Sequence, residues 1–513
     1  MKVLSSKSLV ALLVVLSLLW SFVGCDINFS GGKTTASTSS GTSSGTSLGT
    51  SSTTDSTNSK YIPLNFYSIN DLHGSVKDED GVTGIGRLTT YFNSLDESKN
   101  NILLSAGDMW QGGAESNNTK GKLVTDWMNQ MNFVAMTVGN HEFDWGTSYV
   151  KANAEMAEFP FLGINVYDRA TNQRVEYCEP SVMIEKAGLK IGIIGAIGDH
   201  YSSISASRVT DIYFKTGNDL TNLVKNEADS LRQQGADIVI YVIHSGYATK
   251  TTNTTVSDSK LEHYDTSLSN GYIDLVFEAH THTQNIYTDK YGVYHLQGGG
   301  YNEAFSHVEL AYNTEDKSFF VSTTELIKTS YLTSYEIDAS VPMLYEKYSE
   351  EIGDPYAVLG YNAAYRNSSY LSQLVAELYL KAGLEKWGEE YNIVLGGGKI
   401  NCRSPYKLYQ GDVCYADLLE LFPFDNDIVL CSIKGSYLKS RYLENDGYNI
   451  DLSDFGIANQ NQIDSNATYY IITDSYGADY TWNNVTVIDI YDISGVFARD
   501  LLAEYVKSGG LDR

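Results

Sequence analysis

Five short strings in this chain hold residue types that bind divalent cations. They are Asp71-Leu72-His73, Gly107-Asp108, Gly139-Asn140-His141-Glu142-Phe143-Asp144, His244-Ser245-Gly246 and His280-Thr281-His282. Carboxylate, amide and imidazole together suit hard-to-borderline ions such as Mn2+, Zn2+ or Fe2+. A single carboxylate such as Asp108 can bridge two ions about 3.5–4 Å apart, the separation found in two-metal hydrolytic sites. Asp71/His73 and His280/His282 are i, i+2 pairs, which an extended backbone points to one side. Any one string is weak evidence, because a lone Asp-x-His is more often a surface or core pair. Five of them in this order are strong evidence, and all nine His of the chain fall between His73 and His307.

Such chemistry needs rigid elements behind the ligands. The strings end short apolar runs at 64–70, 102–108, 133–140, 238–244 and 273–282, and a further run covers 191–198. Rich in Val and Ile and without a 3.6-residue period, these runs read as buried strands. Helix-like segments such as 221–234 lie between them, which predicts an α/β layered body with its polar residues at strand ends. Around 335–352 the chain turns polar and charged, as in a linking helix. Beyond it Leu371, Leu374, Val375, Leu378, Tyr379 and Ala382 recur at helical spacing, with Ser368 or Ser369 placed as N-cap. Two bodies, divided near 335–355, are expected.

The chain has 513 residues and a formal charge of −27, from 36 Lys+Arg against 63 Asp+Glu. That balance argues against binding nucleic-acid polymers by phosphate neutralisation. Five Cys exclude a disulfide scaffold. Lys2 and Lys7 precede an apolar run at 9–16 that ends in Gly24-Cys25, the layout of a secretory signal over 1–24. Small residues before Cys25 resemble the lipobox of bacterial lipoproteins, with Phe22 at a position usually held by Leu; the resemblance implies acylation of Cys25 and a membrane anchor. Ordinary secretion or an uncleaved anchor is the alternative. Residues 25–60 read as a tether, since 25 of the 30 residues from Ser30 to Ser59 are Ser, Thr or Gly and such a stretch buries too little apolar surface to order itself.

The ordered set Asp-x-His, Gly-Asp, Gly-Asn-His-Glu, His and His-x-His resembles the calcineurin-like metallophosphoesterase superfamily. The longer string Gly139–Asp144, the secretory signal and the second body narrow this to the bacterial 5'-nucleotidase / UDP-sugar hydrolase / 2',3'-cyclic-nucleotide phosphodiesterase family. One departure is Ala279, where the last motif usually has Gly. The resemblance implies a four-layer α-β-β-α sandwich over 61–335, a linking helix at 336–355, and a smaller α+β nucleotide-binding domain over 356–513. It further implies two divalent ions, one held by Asp71, His73, Asp108 and His282, the other by Asp108, Asn140, His244 and His280. His141, oriented by Asp144, then protonates the leaving group.

The same resemblance places substrate contacts in the second body. The family's Asn-Gly-Gly-Gly-Ile-Arg corresponds to Leu395-Gly396-Gly397-Gly398-Lys399-Ile400-Asn401-Cys402-Arg403, in which Leu replaces Asn and the Arg comes late. Arg403 and Arg366 are the phosphate-binding candidates. Phe424 matches the aromatic that stacks on a base, while Tyr476 and Asp479 match the facing aromatic and the ribose-binding carboxylate. The expected activity is phosphate release from a nucleotide, with UDP-sugars or 2',3'-cyclic nucleotides as alternative substrates. A non-catalytic surface-binding protein is the remoter alternative, and no protein partner is implied. His200, His263, His295 and His307 match no metal motif and read as structural. Cys402 and Cys414 are candidates to pair.

Overall fold

The computed structural model describes residues 60–397, 402, 403, 407–444, 460–482, 484–492 and 494–512. The signal segment 1–24, Cys25, the tether apart from Lys60, and Gly398–Asn401 lie outside the described residues.

Two sheets face each other. The first runs Ser318–Lys328, Ala304–Asn313, Tyr61–Ile69, Asn101–Ser105, Ala135–Thr137, Phe161–Leu162, its last four strands parallel. The second has seven strands, centred on Leu189–Ile197, Ile238–His244 and Leu275–Glu278, which are mutually parallel. Ile238–His244 is buried at every position, as expected of a parallel strand covered on both faces. Leu64, Phe66, Ile102 and Leu104 from one sheet pack against Ile191, Ile193, Ile240, Val242 and Phe277 from the other. Helices cover the outer faces. Lys122–Gln130 contributes Leu123, Val124 and Trp127 on one side. Gly217–Gln233 contributes Val224, Ala228 and Leu231 on the other. The result is a four-layer α-β-β-α sandwich, in which the carboxyl ends of the parallel strands meet along one edge.

The expected linking helix is two short helices, Ser340–Lys347 and Ser349–Ile352, which meet at Tyr348. Val341 and Leu344 bury against the sandwich, so this segment belongs to its core. Beyond it, a four-stranded sheet in the order Ile393–Gly396, Thr468–Asp474, Ile428–Lys434, Val485–Ile490 packs under the helices Ser368–Trp387 and Ala498–Lys507. The first of these helices is capped by Asn367, whose side chain accepts from the Tyr370 N–H at 2.9 Å, rather than by Ser368 or Ser369. Asn reaches the N3 amide as Ser does, one residue earlier.

Among the described residues, no helix is long and apolar enough to cross a membrane. No disulfide joins Cys402 and Cys414, and the Cys414 thiol instead lies 3.1 Å from Asp417.

Candidate active site

All seven candidate ligands sit on loops just beyond the parallel strands or, for His244, on a strand's last residue. The i, i+2 pairs are not extended, as sequence spacing suggested. Asp71, His73, Asp108, His280 and His282 all have φ between 49 and 73°. Left-handed backbone costs an L-residue roughly 1–3 kcal/mol and persists where surrounding structure over-determines it, most often at functional sites. The turns curl each side chain inward over the strand end. Gly139 is required by close approach, since a Cβ there would lie 2.2 Å from Asp108 Oδ1 and 2.7 Å from His244 Cε1. Ala279 needs no such freedom. It is fully buried, and its φ is not among the positive ones.

The ligands form two groups that share Asp108. In one, His73 Nε2 lies 3.0 Å from His282 Nε2 and 3.9 Å from Asp108 Oδ2, and His282 Nε2 lies 3.5 Å from Asp71 Oδ1. In the other, His244 Nε2 is 3.1 Å from both Asp108 Oδ2 and Asn140 Oδ1, while His280 Nδ1 is 2.9 Å from Asn140 Oδ1. Tautomers decide what these contacts are. His73 Nδ1 donates to the Gln111 carbonyl at 2.9 Å and His244 Nδ1 to the Ala106 carbonyl at 2.8 Å. In the neutral rings each Nε2 is therefore a lone pair; that of His244 faces Asp108 and Asn140, and that of His73 faces His282 and the Arg403 guanidinium. Burial and the Arg403 guanidinium hold His73 well below its ordinary value. Burial and His244 hold His280 at about 3. Asp108 Oδ2 is buried without a hydrogen-bond donor. Acceptors converging on acceptors fit divalent cations between them.

His244 is the exception. Burial lowers it, but Asp108 raises it more, to about 9. A cation beside Asp108 competes with that proton, so metal binding there releases it.

His141 lies close enough to Asp108 and His73 to be a third ligand of that group. Its electrostatics favour another role. His141 Nδ1 is 2.7 Å from Asp144 Oδ2. Burial lowers its pKa, yet Asp144 and Asp108 raise it above the ordinary value. An imidazolium repels cations and donates protons, which suits an acid.

Several residues beyond the sequence candidates complete the site. Glu142 is fully buried and accepts from the backbone N–H groups of Asp108, Met109 and Gly139. Burial and Asp108 push its carboxyl up to about 7, against the pull of the N–H donors. His200 stacks on His280 with ring centres 3.5 Å apart and contacts Ser245 Oγ at 3.0 Å. Gln111 and Tyr301 receive Arg403. Glu142 was visible in its string. The others carry no local signal, being ordinary residue types made relevant by folding. His263 and His295 contact buried Glu278, and His307 bridges Asn65 and Glu325, all among core or sheet residues.

The substrate candidates separate. Arg403 reaches the site, with one guanidinium nitrogen 3.1 Å from His73 Nε2. Arg366 does not; its backbone pairs with Leu408 and its guanidinium covers the Tyr370 ring at 4.4 Å. Phe424 stacks on His141 with ring centres 5.6 Å apart. Its loop is held by Asp425, which binds Lys120 at 2.6 Å and also pairs with Arg499, and by Arg208, which donates to the Asp425 carbonyl. Burial pushes the Asp425 carboxyl up, but Arg499 and Lys120 hold it below its ordinary value. Phe424 and Tyr476 line one cavity of about 180 Å3 with Asp144, Ser203, Ser205 and Asn426. Asp479 does not line it and accepts from the Ala206 N–H at 3.1 Å.

Residues 64–284 match the calcineurin-like phosphoesterase family. The chain carries a calcineurin-like metallophosphoesterase domain. It is a metal-dependent phosphoester hydrolase. The protein UshA of Yersinia enterocolitica is 23% identical to it over 518 residues, spanning 87% of this chain and 91% of that protein. The 5'-nucleotidase precursor of Thermus thermophilus superposes with a TM-score of 0.62 at 16% identity, over 87% of this chain and 96% of that one. The sulfate thiohydrolase SoxB of Thermus thermophilus superposes almost as well, with a TM-score of 0.59 at 14% identity, over 87% and 94%. At these identities the structural likeness establishes a shared two-domain fold and does not choose a substrate.

Proposed function

We propose that the chain is an extracytoplasmic two-metal phosphohydrolase that releases phosphate from nucleotides. The observation that carries the reading is the buried donor set around Asp108, in which His244 Nε2 lies 3.1 Å from both Asp108 Oδ2 and Asn140 Oδ1 and His73 Nε2 lies 3.9 Å from Asp108 Oδ2. Asp71, His73, Asp108 and His282 would hold one divalent ion such as Mn2+ or Zn2+, and Asp108, Asn140, His244 and His280 the other. When bound, the two ions supply positive charge to the phosphoryl oxygens and a water nucleophilic at neutral pH.

The remaining work falls to side chains. Phe424 and Tyr476 stack a nucleobase in the cavity beside Asp144. Arg403, held by Tyr301, adds a guanidinium to the phosphoryl side. His141, kept protonated by Asp144, delivers its proton to the departing 5'-oxygen, a contribution typically worth about 10²–10⁴-fold. A SoxB-like sulfur substrate has no such use for an aromatic cavity beside the acid. The leader-like segment 1–24, the lipobox-like residues before Cys25 and the Ser/Thr/Gly tether support a location outside the cytoplasm, anchored to a membrane by a lipid on Cys25. The catalytic body at 61–335 and the substrate body at 356–513 divide the labour.

The test is hydrolysis by the purified full chain, supplied with Mn2+, of AMP, UDP-glucose and 2',3'-cAMP in parallel, read as phosphate from AMP, UMP plus glucose 1-phosphate from UDP-glucose, and an adenosine monophosphate from 2',3'-cAMP. Release from AMP that disappears with chelator and with His141→Ala is the expected outcome. Hydrolysis of UDP-glucose or 2',3'-cAMP alone assigns the same site to the alternative substrate. No hydrolysis of any by protein holding two Mn2+ sinks the nucleotide reading.

A further inference from the structure

Glu142 touches neither the ligand atoms nor the space where substrate binds, yet it joins the two turns that the site depends on. Its Oε2 accepts from the Asp108 N–H at 2.9 Å and the Gly139 N–H at 2.7 Å, and its Oε1 accepts from the Met109 N–H at 2.8 Å. One turn carries Asp108, which serves both metal groups from a left-handed backbone with φ of 55°. The other carries Asn140 and His141. The same two turns are joined once more by the His141 N–H, which donates to Asp108 Oδ1 at 2.8 Å. Glu142 has no solvent exposure.

We infer that Glu142 is a positioning residue that sets the spacing of the metal pair, by clamping the Asp108 turn to the Gly139–Asn140 turn through three backbone amides. The inference rests on the two-metal reading. The left-handed backbone at Asp108 is unfavourable alone, and a carboxylate accepting several backbone N–H groups is the kind of partner that fixes it. A Gln at this position has the same shape but turns one acceptor oxygen into an amine. At least one of the three N–H groups then faces a donor. Partners of this outer kind typically change metal affinity by about 10–100-fold.

The experiment compares wild-type protein with Glu142→Gln by calorimetric titration of Mn2+ and by the electron paramagnetic resonance signal of the bound ions. Thermal unfolding in chelator checks the fold. The expected result is a metal-free variant that still unfolds cooperatively, binds two Mn2+ about 10–100-fold more weakly, shows altered coupling between them, and recovers most of its AMP turnover at high Mn2+. An unchanged isotherm and unchanged coupling overturn the inference. Where the variant does not fold, amide exchange in wild-type protein decides. The Asp108–Met109 and Gly139 amides should gain protection together at one Mn2+ concentration, and independent protection overturns the clamp. Wild-type protein that binds no Mn2+ at all overturns the metal reading itself, a distinct result.

Discussion

Replacing Asp144 by Asn isolates the proton that His141 is proposed to deliver. The amide keeps an oxygen within reach of His141 Nδ1, so the 2.7 Å contact and the ring's orientation survive. What disappears is the charge. Hydrogen bonds to charged groups are worth about 1.5–3 kcal/mol, which at about 1.4 kcal/mol per unit lowers the His141 pKa by roughly one to two units. His141 begins above its ordinary value because Asp144 and Asp108 outweigh burial. The sign follows directly. The acid must be protonated, so activity falls as pH rises through its pKa, and the basic limb of the profile moves to lower pH in the variant. On the alkaline side of both pKa values, kcat/KM for AMP should drop about 10–100-fold, with little change where both enzymes hold the proton. The assay is kcat/KM for AMP between about pH 5 and 9 at saturating Mn2+, with p-nitrophenyl phosphate as control, because nitrophenolate departs without an acid. A basic limb that does not move refutes the assignment. So does an equal, pH-independent loss on both substrates, which would mark Asp144 as a structural residue.

Three further outcomes are expected. Phe424→Ala should raise KM for AMP about 5–150-fold, the equivalent of 1–3 kcal/mol of base stacking, and leave ribose 5-phosphate hydrolysis unchanged in steady-state kinetics. Because Asp108 holds a proton on His244 up to about 9, Mn2+ affinity should climb with pH by up to about tenfold per unit below that value, and calorimetry in buffers of different ionisation enthalpy should register the released proton. Gly139→Ala pushes a Cβ to 2.2 Å from Asp108 Oδ1, so elemental analysis of the dialysed variant should find fewer than two Mn2+ per chain where wild type retains both.

The candidate metal ligands could be named from the sequence because residue type and order along the chain are local information. Residue type fixes what an atom can coordinate, and strand-end position fixes where it points within a few ångströms. The layered α/β body was legible for a similar reason, since apolar runs without helical period leave buried strands as the main solution. The tertiary structure decided what local spacing could not. Asp71/His73 and His280/His282 share a side through left-handed turns imposed by neighbouring loops, which no periodicity announces. Arg366 and Arg403 were equal candidates, yet only Arg403 is carried to His73, because that choice depends on how two distant segments dock. Phe424 meets His141 because Asp425 is caught between Lys120 and Arg499, residues 305 and 74 positions away along the chain. His200 looked structural and lies against His280. Coordination chemistry is written in side chains and short spacing, whereas the second contact layer is made by long-range packing, where most residue types are interchangeable until the fold places them.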